Sequence, residues 1–320
     1  MLNSIKIIKN RSDIGAGTRG SDLGIDAIEI AAINKENNYF DQFEFTDVST
    51  ENESIYNKVN NSFAKRIGSV LNQCTRLSNH VKVTLQEKTF PIVLSGDHSS
   101  ALGTISGVKA AFPKQTVGVV WVDAHADIHS PYTSPSGNIH GMPLAAALSN
   151  DNLDFQINEV TRETSDLWER MKNIGTLGSK ISAENVVYFG VRDTEEPEEK
   201  QIENLQIKNY TVSEIRFRGV EKCVNEAIDK LSNCDVIYIS FDVDSMDCDM
   251  ISYGTGTPVN KGFDQEEVTQ IMNQIISKTK KVVCVEFVEV NPLLDLKGNV
   301  MAETAFEVLD DVTKTIQKSL

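Results

Sequence analysis

Short apolar runs alternate along this chain with longer segments in which apolar residues recur at spacings of three and four. Continuous apolar runs of about four to eight residues are typical of buried strands, and the wider spacing is typical of amphipathic helices. The predicted strands are residues 4–8, 91–94, 117–122, 186–191, 236–241 and 282–287. Their alternation with helices predicts an α/β protein with a three-layer α-β-α architecture and a mostly parallel sheet.

The amphipathic segments give the predicted helices and the domain organisation. The helices are residues 24–33, 55–83, 101–111, 220–231, 265–277 and 302–316. Asp264 stands directly before one of them, where its carboxylate can cap the first turn. Because the chain has no internal repeat, low-complexity tract or proline-rich linker, we expect one domain over residues 1–320. Residues 149–180 are polar and longer than a simple crossover requires, which predicts an insertion that serves as a surface excursion, a lid or a subunit interface.

Composition and charge narrow the classes of function. The 320 residues carry a formal charge of −15, so the field of the protein would repel nucleic acid and anionic membranes. It would attract a cationic substrate, although many acidic proteins gain only solubility from their charge. The longest apolar runs are of strand length, which predicts no membrane helix. The first residues lack a signal-peptide pattern, and five cysteines without a CxxC pair suit reduced thiols, so we expect a cytoplasmic protein.

Three predicted strands are each followed by a cluster of aspartate and histidine. Residues 95–99 read Ser-Gly-Asp-His-Ser, residues 123–127 read Asp-Ala-His-Ala-Asp, and residues 242–244 read Asp-Val-Asp. Ligands of open parallel sheets bind beyond the carboxyl ends of the strands. In an extended segment, alternation would direct Asp123, His125 and Asp127 to one side. A lone residue of this kind is more often a turn cap or a satisfied core side chain, but the whole set indicates one chemical site.

The chemistry of this set points to metal. Four aspartates and two histidines in one pocket would repel one another strongly without cations, because like charges at short range raise each other's pKa. Two divalent ions would neutralise the aspartates. Oxygen and imidazole ligands without a thiolate favour manganese over structural zinc, while cobalt, iron and nickel remain open on ligand type alone. We therefore expect two Mn²⁺ ions per chain.

The three clusters, read as GDHS, DAHxD and SFDVD, resemble the ureohydrolase superfamily, the group of arginases and agmatinases. The resemblance extends from the Gly-Ala-Gly-Thr-Arg-Gly segment at residues 15–20 to the Glu-Val-Asn-Pro segment at residues 289–292. It implies two ligand sets that share bridging Asp123 and Asp242. The first set is His98, Asp123, Asp127 and Asp242, and the second is Asp123, His125, Asp242 and Asp244. A hydroxide held between the two ions would attack a guanidinium carbon, since metals lower the pKa of bound water towards about 7.

The same resemblance assigns the remaining chemistry. The departing amine needs a proton donor, and His140, in a loop similar to the arginase SGNxHG motif, fills that place. Glu289 would pair with the planar guanidinium and orient it. Asp127 counts as a catalytic residue as well as a ligand. Glu286, three positions before Glu289, receives no catalytic part.

The outer loops indicate the substrate. Ser134, Ser136 and Asn138 offer hydroxyl and amide donors for an α-carboxylate, as the equivalent arginase loop does and the agmatinase segment does not. Glu195 and Glu198 match the positions that receive an α-ammonium group. The resemblance also places the hydroxyl of Thr257 near the guanidinium and His140.

Three residues depart from the arginase pattern. Ser95 stands where glycine is usual, His129 where many arginases have asparagine, and Glu195 where many have aspartate. His129 and Glu195 belong to the region that recognises the amino acid, so their identity could change affinity or admit another head group.

We therefore expect hydrolysis of L-arginine to urea and L-ornithine. The alternatives are agmatinase or formimidoylglutamase activity on the same fold, and a catalytically silent metal-binding regulator. The resemblance further implies a homo-oligomer, a trimer or a hexamer.

Overall fold

The structure, a computed structural model, describes residues 2–320 and contains one sheet of eight strands within that range. The strands are β1 Ser4–Asn10, β2 Glu44–Asp47, β3 Thr89–Ser95, β4 Val117–Val122, β5 Val186–Phe189, β6 Lys208–Tyr210, β7 Val236–Asp242 and β8 Val282–Val288. They lie in the order β2-β1-β3-β8-β7-β4-β5-β6. Every described strand pair is parallel, so the predicted α/β class is confirmed.

Ten α-helices cover the two faces of the sheet in the described chain. They are α1 Gly24–Asn34, α2 Ile67–Gln86, α3 Ser100–Ala111, α4 Pro143–Leu148, α5 Arg162–Lys172, α6 Glu196–Asn204, α7 Val212–Arg218, α8 Val220–Lys230, α9 Gln265–Thr279 and α10 Val300–Ser319. Helices α1, α7, α8, α9 and α10 contribute to the apolar core on one face, and α2, α3, α4 and α5 to the core on the other. Between residues 2 and 320, no helix is both long and apolar enough to cross a membrane.

The predicted strands correspond to the six inner strands, although the fourth ends at Phe189 and not at residue 191. Strands β2 and β6, which form the two edges, were not predicted. The predicted helix over residues 55–83 is wrong in its first part, since α2 begins only at Ile67 after Arg66 adopts a left-handed φ of 58°. The predicted cap is confirmed: the Asp264 carboxylate accepts a hydrogen bond from Glu267 N at 2.8 Å.

Residues 149–180 contain α5, which packs against α2 and α4. The α5 side chains of Trp168 and Met171 are buried within the chain. The indole Nε1 of Trp168 donates to Asp151 Oδ1 at 2.8 Å, and the Thr161 hydroxyl caps the first turn of α5. The apolar side of α5 therefore contributes to the core of its own chain.

Candidate metal centre and substrate cavity

The site lies at the carboxyl ends of the four central strands, in the order β3-β8-β7-β4. His98 comes after β3, Glu289 directly follows β8, Asp242 is the last residue of β7, and Asp123 directly follows β4. Because all four strands are parallel, their carboxyl ends meet at one edge of the sheet. Side chains far apart in the sequence are therefore brought together there.

The local path of the chain differs from the alternation expected of the segment after β4. The strand ends at Val122, residues 123–125 form bends, and residues 126–127 have no regular secondary structure. Asp127 has a left-handed φ of 48°, and Glu289 has a φ of 70°. Such conformations cost about 1–3 kcal/mol each and are retained where the surroundings require them. Asp123, His125 and Asp127 are therefore placed by a bent path of the chain. The expected explanation, alternation along an extended segment, is wrong.

The first cluster is centred on the Nδ1 atom of His98. This nitrogen lies 3.0 Å from Asp123 Oδ2, 3.1 Å from Asp127 Oδ2 and 3.1 Å from Asp242 Oδ2. Ligands about 2.1 Å from a shared octahedral cation are about 3 Å from their neighbours. The four side chains therefore have the spacing of ligands around one ion.

The second cluster consists of Asp123, His125 and Asp244. His125 Nδ1 lies 3.0 Å from Asp244 Oδ2 and 3.6 Å from Asp123 Oδ1. Asp123 thus directs Oδ2 to the first cluster and Oδ1 to the second. This is the arrangement required of a carboxylate that bridges two ions.

Two atoms of the first cluster are buried without a hydrogen-bond partner: His98 Nδ1 and Asp123 Oδ2. Buried polar atoms are nearly always satisfied, so an unpaired nitrogen facing an unpaired carboxylate oxygen suits a cation. The other ring nitrogen of His98 lies 2.7 Å from Ser240 Oγ, and the ring stacks on Trp121 at 4.1 Å. These contacts fix the imidazole with Nδ1 towards the aspartates, as partners of metal-binding histidines do.

The charges of the cluster are strongly coupled. Burial, and then the charge of Asp123, raise the pKa of Asp127 to about 6. Burial and the charges of Asp244 and Asp123 raise the pKa of Asp242 well above its ordinary value. Burial lowers the pKa of His98, but its contacts with three aspartates outweigh this and raise it. The cluster therefore holds protons in place of cations when no metal neutralises it.

Removal of metal is expected to destabilise the fold. An ion at about 100 times its Kd adds about 2.7 kcal/mol to the free energy of unfolding at each site. For a chain of this size, 1 kcal/mol raises Tm by roughly 2 °C. Two Mn²⁺ ions should therefore raise Tm by about 10 °C. Scanning fluorimetry with chelator or Mn²⁺ measures this gain.

The gain should also depend on pH. The pKa of Asp127 is about 6 in the folded protein without metal, compared with 3.8 for an unperturbed aspartate. The metal-free fold therefore gains stability from this proton at low pH and loses it as the pH rises through about 6, and metal must displace the proton. The Tm gain should be larger at about pH 7.5 than at about pH 5. Equal gains at both pH values, or none, would contradict the assignment.

Beside the first cluster lies an ion pair between His140 and Glu289. His140 Nδ1 is 3.1 Å from Glu289 Oε1, which also accepts a hydrogen bond from His98 N at 3.0 Å. The other oxygen, Oε2, is buried and has no partner. Burial raises the pKa of Glu289, but the contact with His140 outweighs it, so the net pKa is lowered. Glu289 is therefore a carboxylate with one oxygen free to accept a hydrogen bond.

The clusters open into a cavity of about 310 Å³. Asp123 is fully buried beneath it. Within the described chain, every other predicted site residue lines the cavity: His98, His125, Asp127, His129, Ser134, Ser136, Asn138, His140, Glu195, Glu198, Asp242, Asp244, Thr257 and Glu289. The structure thus brings the predicted ligands, acid, carboxylate and rim residues into one space.

The hydroxyl groups of the rim are set by the turn at residues 134–138. Ser134 Oγ accepts a hydrogen bond from Gly137 N at 2.9 Å, and Ser136 Oγ accepts one from Asn138 N at 3.2 Å. Because a hydroxyl that accepts still has a proton to donate, both serines can donate to a ligand in the cavity.

The acidic side of the rim is formed by the start of α6. Glu195 is its N-cap, and its backbone N donates to Glu198 Oε2 at 3.2 Å. Burial, and then Glu195, raise the pKa of Glu198 well above its ordinary value. Glu195 Oε2 lies 2.9 Å from His129 Nε2, and this contact lowers the pKa of Glu195 to about 2. The two departures from the arginase pattern at the rim therefore contact each other.

Two further contacts were not assigned from sequence. Asp193 lines the cavity, and its Oδ2 is 3.6 Å from His125 Nε2. It stands in a run of neighbouring acids, so spacing gave no reason to choose it over Glu195. Thr257 was expected near His140, and its hydroxyl donates to Asp244 Oδ2 at 3.0 Å.

The third departure, Ser95, has a partner deeper in the sheet. Its hydroxyl donates to Glu286 Oε1 at 2.9 Å, and Ser100 Oγ donates to the same oxygen at 2.7 Å. The phenol of Tyr238 donates to Glu286 Oε2. Glu286 is thus a buried carboxylate fully engaged by hydroxyl groups, away from the cavity.

Comparison with known proteins agrees with this geometry. The sequence pattern of the Arginase family matches residues 3–314. The chain is 35% identical over 314 residues to the arginase of Bacillus subtilis, covering 98% of both chains, and 35% identical over 315 residues to the arginase of Brevibacillus brevis, again covering 98% of both.

Solved structures extend the agreement to the fold. The native structure of arginase from Bacillus caldovelox superposes with a TM-score of 0.82 at 32% identity, covering 98% of each chain. The likeness therefore covers almost the whole length in both sequence and fold. The resemblance drawn from the three motifs is confirmed, and this protein belongs to the arginase family and is an arginase-type hydrolase.

Proposed function

We propose that this protein is a binuclear manganese hydrolase that converts L-arginine and water into urea and L-ornithine. The observation that carries the proposal is the pair of His–Asp clusters joined by Asp123, opening into the same cavity as the His140–Glu289 pair. This reaction requires a metal centre, a general acid and a carboxylate that binds the guanidinium group. The cavity holds candidates for each of the three.

The residues fit two divalent ions. His98, Asp123, Asp127 and Asp242 would hold one, and Asp123, His125, Asp242 and Asp244 the other. Their oxygen and nitrogen donors, with no thiolate among them, support manganese. When bound, the ions would lower the pKa of water and so supply a nucleophile at neutral pH.

Glu289 and His140 supply the rest of the chemistry. The free Oε2 of Glu289 can accept a hydrogen bond from a guanidinium N–H, which orients the planar group. As the new C–O bond forms and a C–N bond breaks, the departing amine must take up a proton. Burial lowers the pKa of His140, but its contact with Glu289 outweighs this and raises it. His140 is therefore able to carry the proton that the amine receives.

The rim supports an amino-acid substrate. Ser134, Ser136 and Asn138 present donors suited to an α-carboxylate, and Glu195 and Glu198 present acceptors suited to an α-ammonium group. Agmatine lacks the carboxylate, so it would leave these donors unpaired. The similarity to relatives named arginases also supports arginine as the substrate.

A comparison of substrates tests the proposal. The protein is loaded with Mn²⁺ and given L-arginine, agmatine or N-formimino-L-glutamate at matched concentrations, and urea or formamide is measured together with bound metal. We expect arginine to be hydrolysed with the highest kcat/KM. A preference for either other substrate would leave the metal chemistry standing but overturn the rim assignment, and bound metal without turnover would indicate a silent binder.

Three coarser expectations accompany the proposal. One domain over residues 1–320, with residues 149–180 as an insertion, is supported by the single sheet and the packing of α5 on α2. A trimer or hexamer is expected from the family resemblance, and light scattering of the purified protein measures it. A cytoplasmic location is supported by the five cysteines, all free and buried in the described chain.

A further inference from the structure

The cavity is strongly acidic. No lysine or arginine of residues 2–320 is among its lining side chains, whereas seven acids are: Asp127, Asp193, Glu195, Glu198, Asp242, Asp244 and Glu289. The proposed ions would neutralise the ligands Asp127, Asp242 and Asp244. The remaining acids, Asp193, Glu195, Glu198 and Glu289, favour the cationic groups of a substrate. They disfavour a carboxylate unless a positive charge stands close to the place where the carboxylate binds.

A lysine stands directly behind the rim at that place. Lys65 Nζ donates to Asn138 Oδ1 at 3.2 Å, although the two residues are 73 positions apart in the sequence. The Lys65 backbone N also donates to Gly137 O at 2.7 Å. Gly137 has a left-handed φ of 72°, and a β-carbon there would lie 2.0 Å from Ser62 O. The segment before α2 and the rim turn are therefore fitted closely to each other.

This contact decides which way the Asn138 amide faces. An ammonium group can only donate hydrogen bonds, so it must bind the amide oxygen and leave Nδ2 as the free donor. On the other side, a β-carbon on Gly17 would lie 2.6 Å from Asn138 Nδ2. Glycine at residue 17 gives the amide the space that this orientation needs. Asn138 is thus held from both sides while it lines the cavity.

The two neighbouring arginines, Arg66 and Arg19, bind other groups. Arg66 Nε donates to Ile14 O at 2.8 Å, and Arg19 Nη1 pairs with Asp13 Oδ1 at 2.7 Å. In the described part of the chain, neither forms a hydrogen bond or an ion pair with residues 134–138. Among the lysines and arginines of residues 2–320, Lys65 is the one whose side chain hydrogen-bonds a rim donor residue, Asn138.

We propose that Lys65 is a positioning residue that determines specificity for substrates with an α-carboxylate. It fixes the Asn138 amide with Nδ2 as a donor and supplies the positive charge that an acidic cavity otherwise lacks at its rim. The inference rests on the proposed function, because it assumes that the head group of an amino acid binds between Asn138 and the two rim serines.

The test uses two ligands that differ only in the carboxylate, L-ornithine and 1,4-diaminobutane. Their binding to the Mn²⁺-loaded protein is measured by calorimetry for wild type, Lys65→Met, Lys65→Arg and the matched control Lys58→Met. Lys58 is an exposed lysine of the same segment. Steady-state kcat and KM for L-arginine are measured in parallel. Lys65→Gln, which keeps polar donors without the charge, serves as a second variant should Lys65→Met not fold.

We expect Lys65→Met to raise the Kd of L-ornithine and the KM of L-arginine about tenfold, equivalent to about 1.4 kcal/mol. The Kd of 1,4-diaminobutane and the kcat should stay within about twofold of wild type. Lys65→Gln should show the same selective loss, Lys65→Arg should largely restore ornithine binding, and Lys58→Met should behave as wild type.

Equal weakening of both ligands would indicate a merely structural lysine and overturn the inference, as would unchanged binding. A wild-type protein that does not prefer ornithine to 1,4-diaminobutane would instead overturn the proposed substrate. The two failures are therefore distinguishable.

Discussion

Asp123→Asn should remove both metal ions and lower kcat/KM for L-arginine by at least about a thousandfold, equivalent to about 4 kcal/mol of transition-state stabilisation. Asp123 reaches both clusters in the described residues, with Oδ2 at 3.0 Å from His98 Nδ1 and Oδ1 at 3.6 Å from His125 Nδ1. An amide cannot offer two anionic oxygens. Metal content by mass spectrometry and urea release measure the two losses.

Glu286→Gln is the matched control for this change. Glu286 is also a fully buried acid of the central sheet, but its oxygens accept hydrogen bonds from Ser95, Ser100 and Tyr238 and do not reach the cavity. We expect this variant to keep both ions and most of its activity. Retention of two ions by Asp123→Asn would contradict the bridging role.

His140→Asn should lower kcat by about a hundredfold to ten-thousandfold, the range typical of a lost general acid. Asparagine is similar in size but cannot deliver a proton to the departing amine. Because His140 contacts Glu289 and not the two clusters, metal content should stay at two ions per chain.

The control for His140→Asn is His80→Asn. His80 lies on α2, and it is the one histidine of the sequence outside the site segments. This variant should have the same kcat and the same metal content as the wild-type protein. Loss of metal from His140→Asn, or full activity with metal in place, would remove His140 from the role of acid.

The inner part of the fold was predictable because its sequence pattern is unambiguous. Strands such as β4, Val117–Val122, and β7, Val236–Asp242, are buried throughout, so they appear as continuous apolar runs. The edge strands β2, Glu44–Asp47, and β6, Lys208–Tyr210, pair on one side only and are partly exposed. Their polar residues carry no such signal.

The start of α2 shows a second limit. Ile55, Val59 and Phe63 have a helical spacing, yet the chain there contains Asn57 and the pair Asn60–Asn61, residues whose side chains compete with helical hydrogen bonds. The structure has a short 3₁₀ helix and a turn before Ile67. Apolar spacing alone therefore placed the helix about three turns too early.

The candidate site also has one part that was predictable from the sequence and another that was not. Motifs at the strand ends identified the ligands, because chemistry-bearing residues cluster there in the sequence itself. Ser240 is two positions before Asp242 and thus on the same side of β7, so strand parity was a usable signal for it. Lys65 had none, since its contact with Asn138 depends on the packing of two loops 73 residues apart.

The central claim is that two cations occupy the joined His–Asp clusters. Crystals grown with Mn²⁺ and measured at the manganese absorption edge test it most directly through the anomalous difference map. The account predicts two peaks about 3.5–4 Å apart, one beside His98 Nδ1 and the other beside His125 Nδ1, with Asp123 between them. A single peak, or peaks away from these two nitrogens, would contradict it.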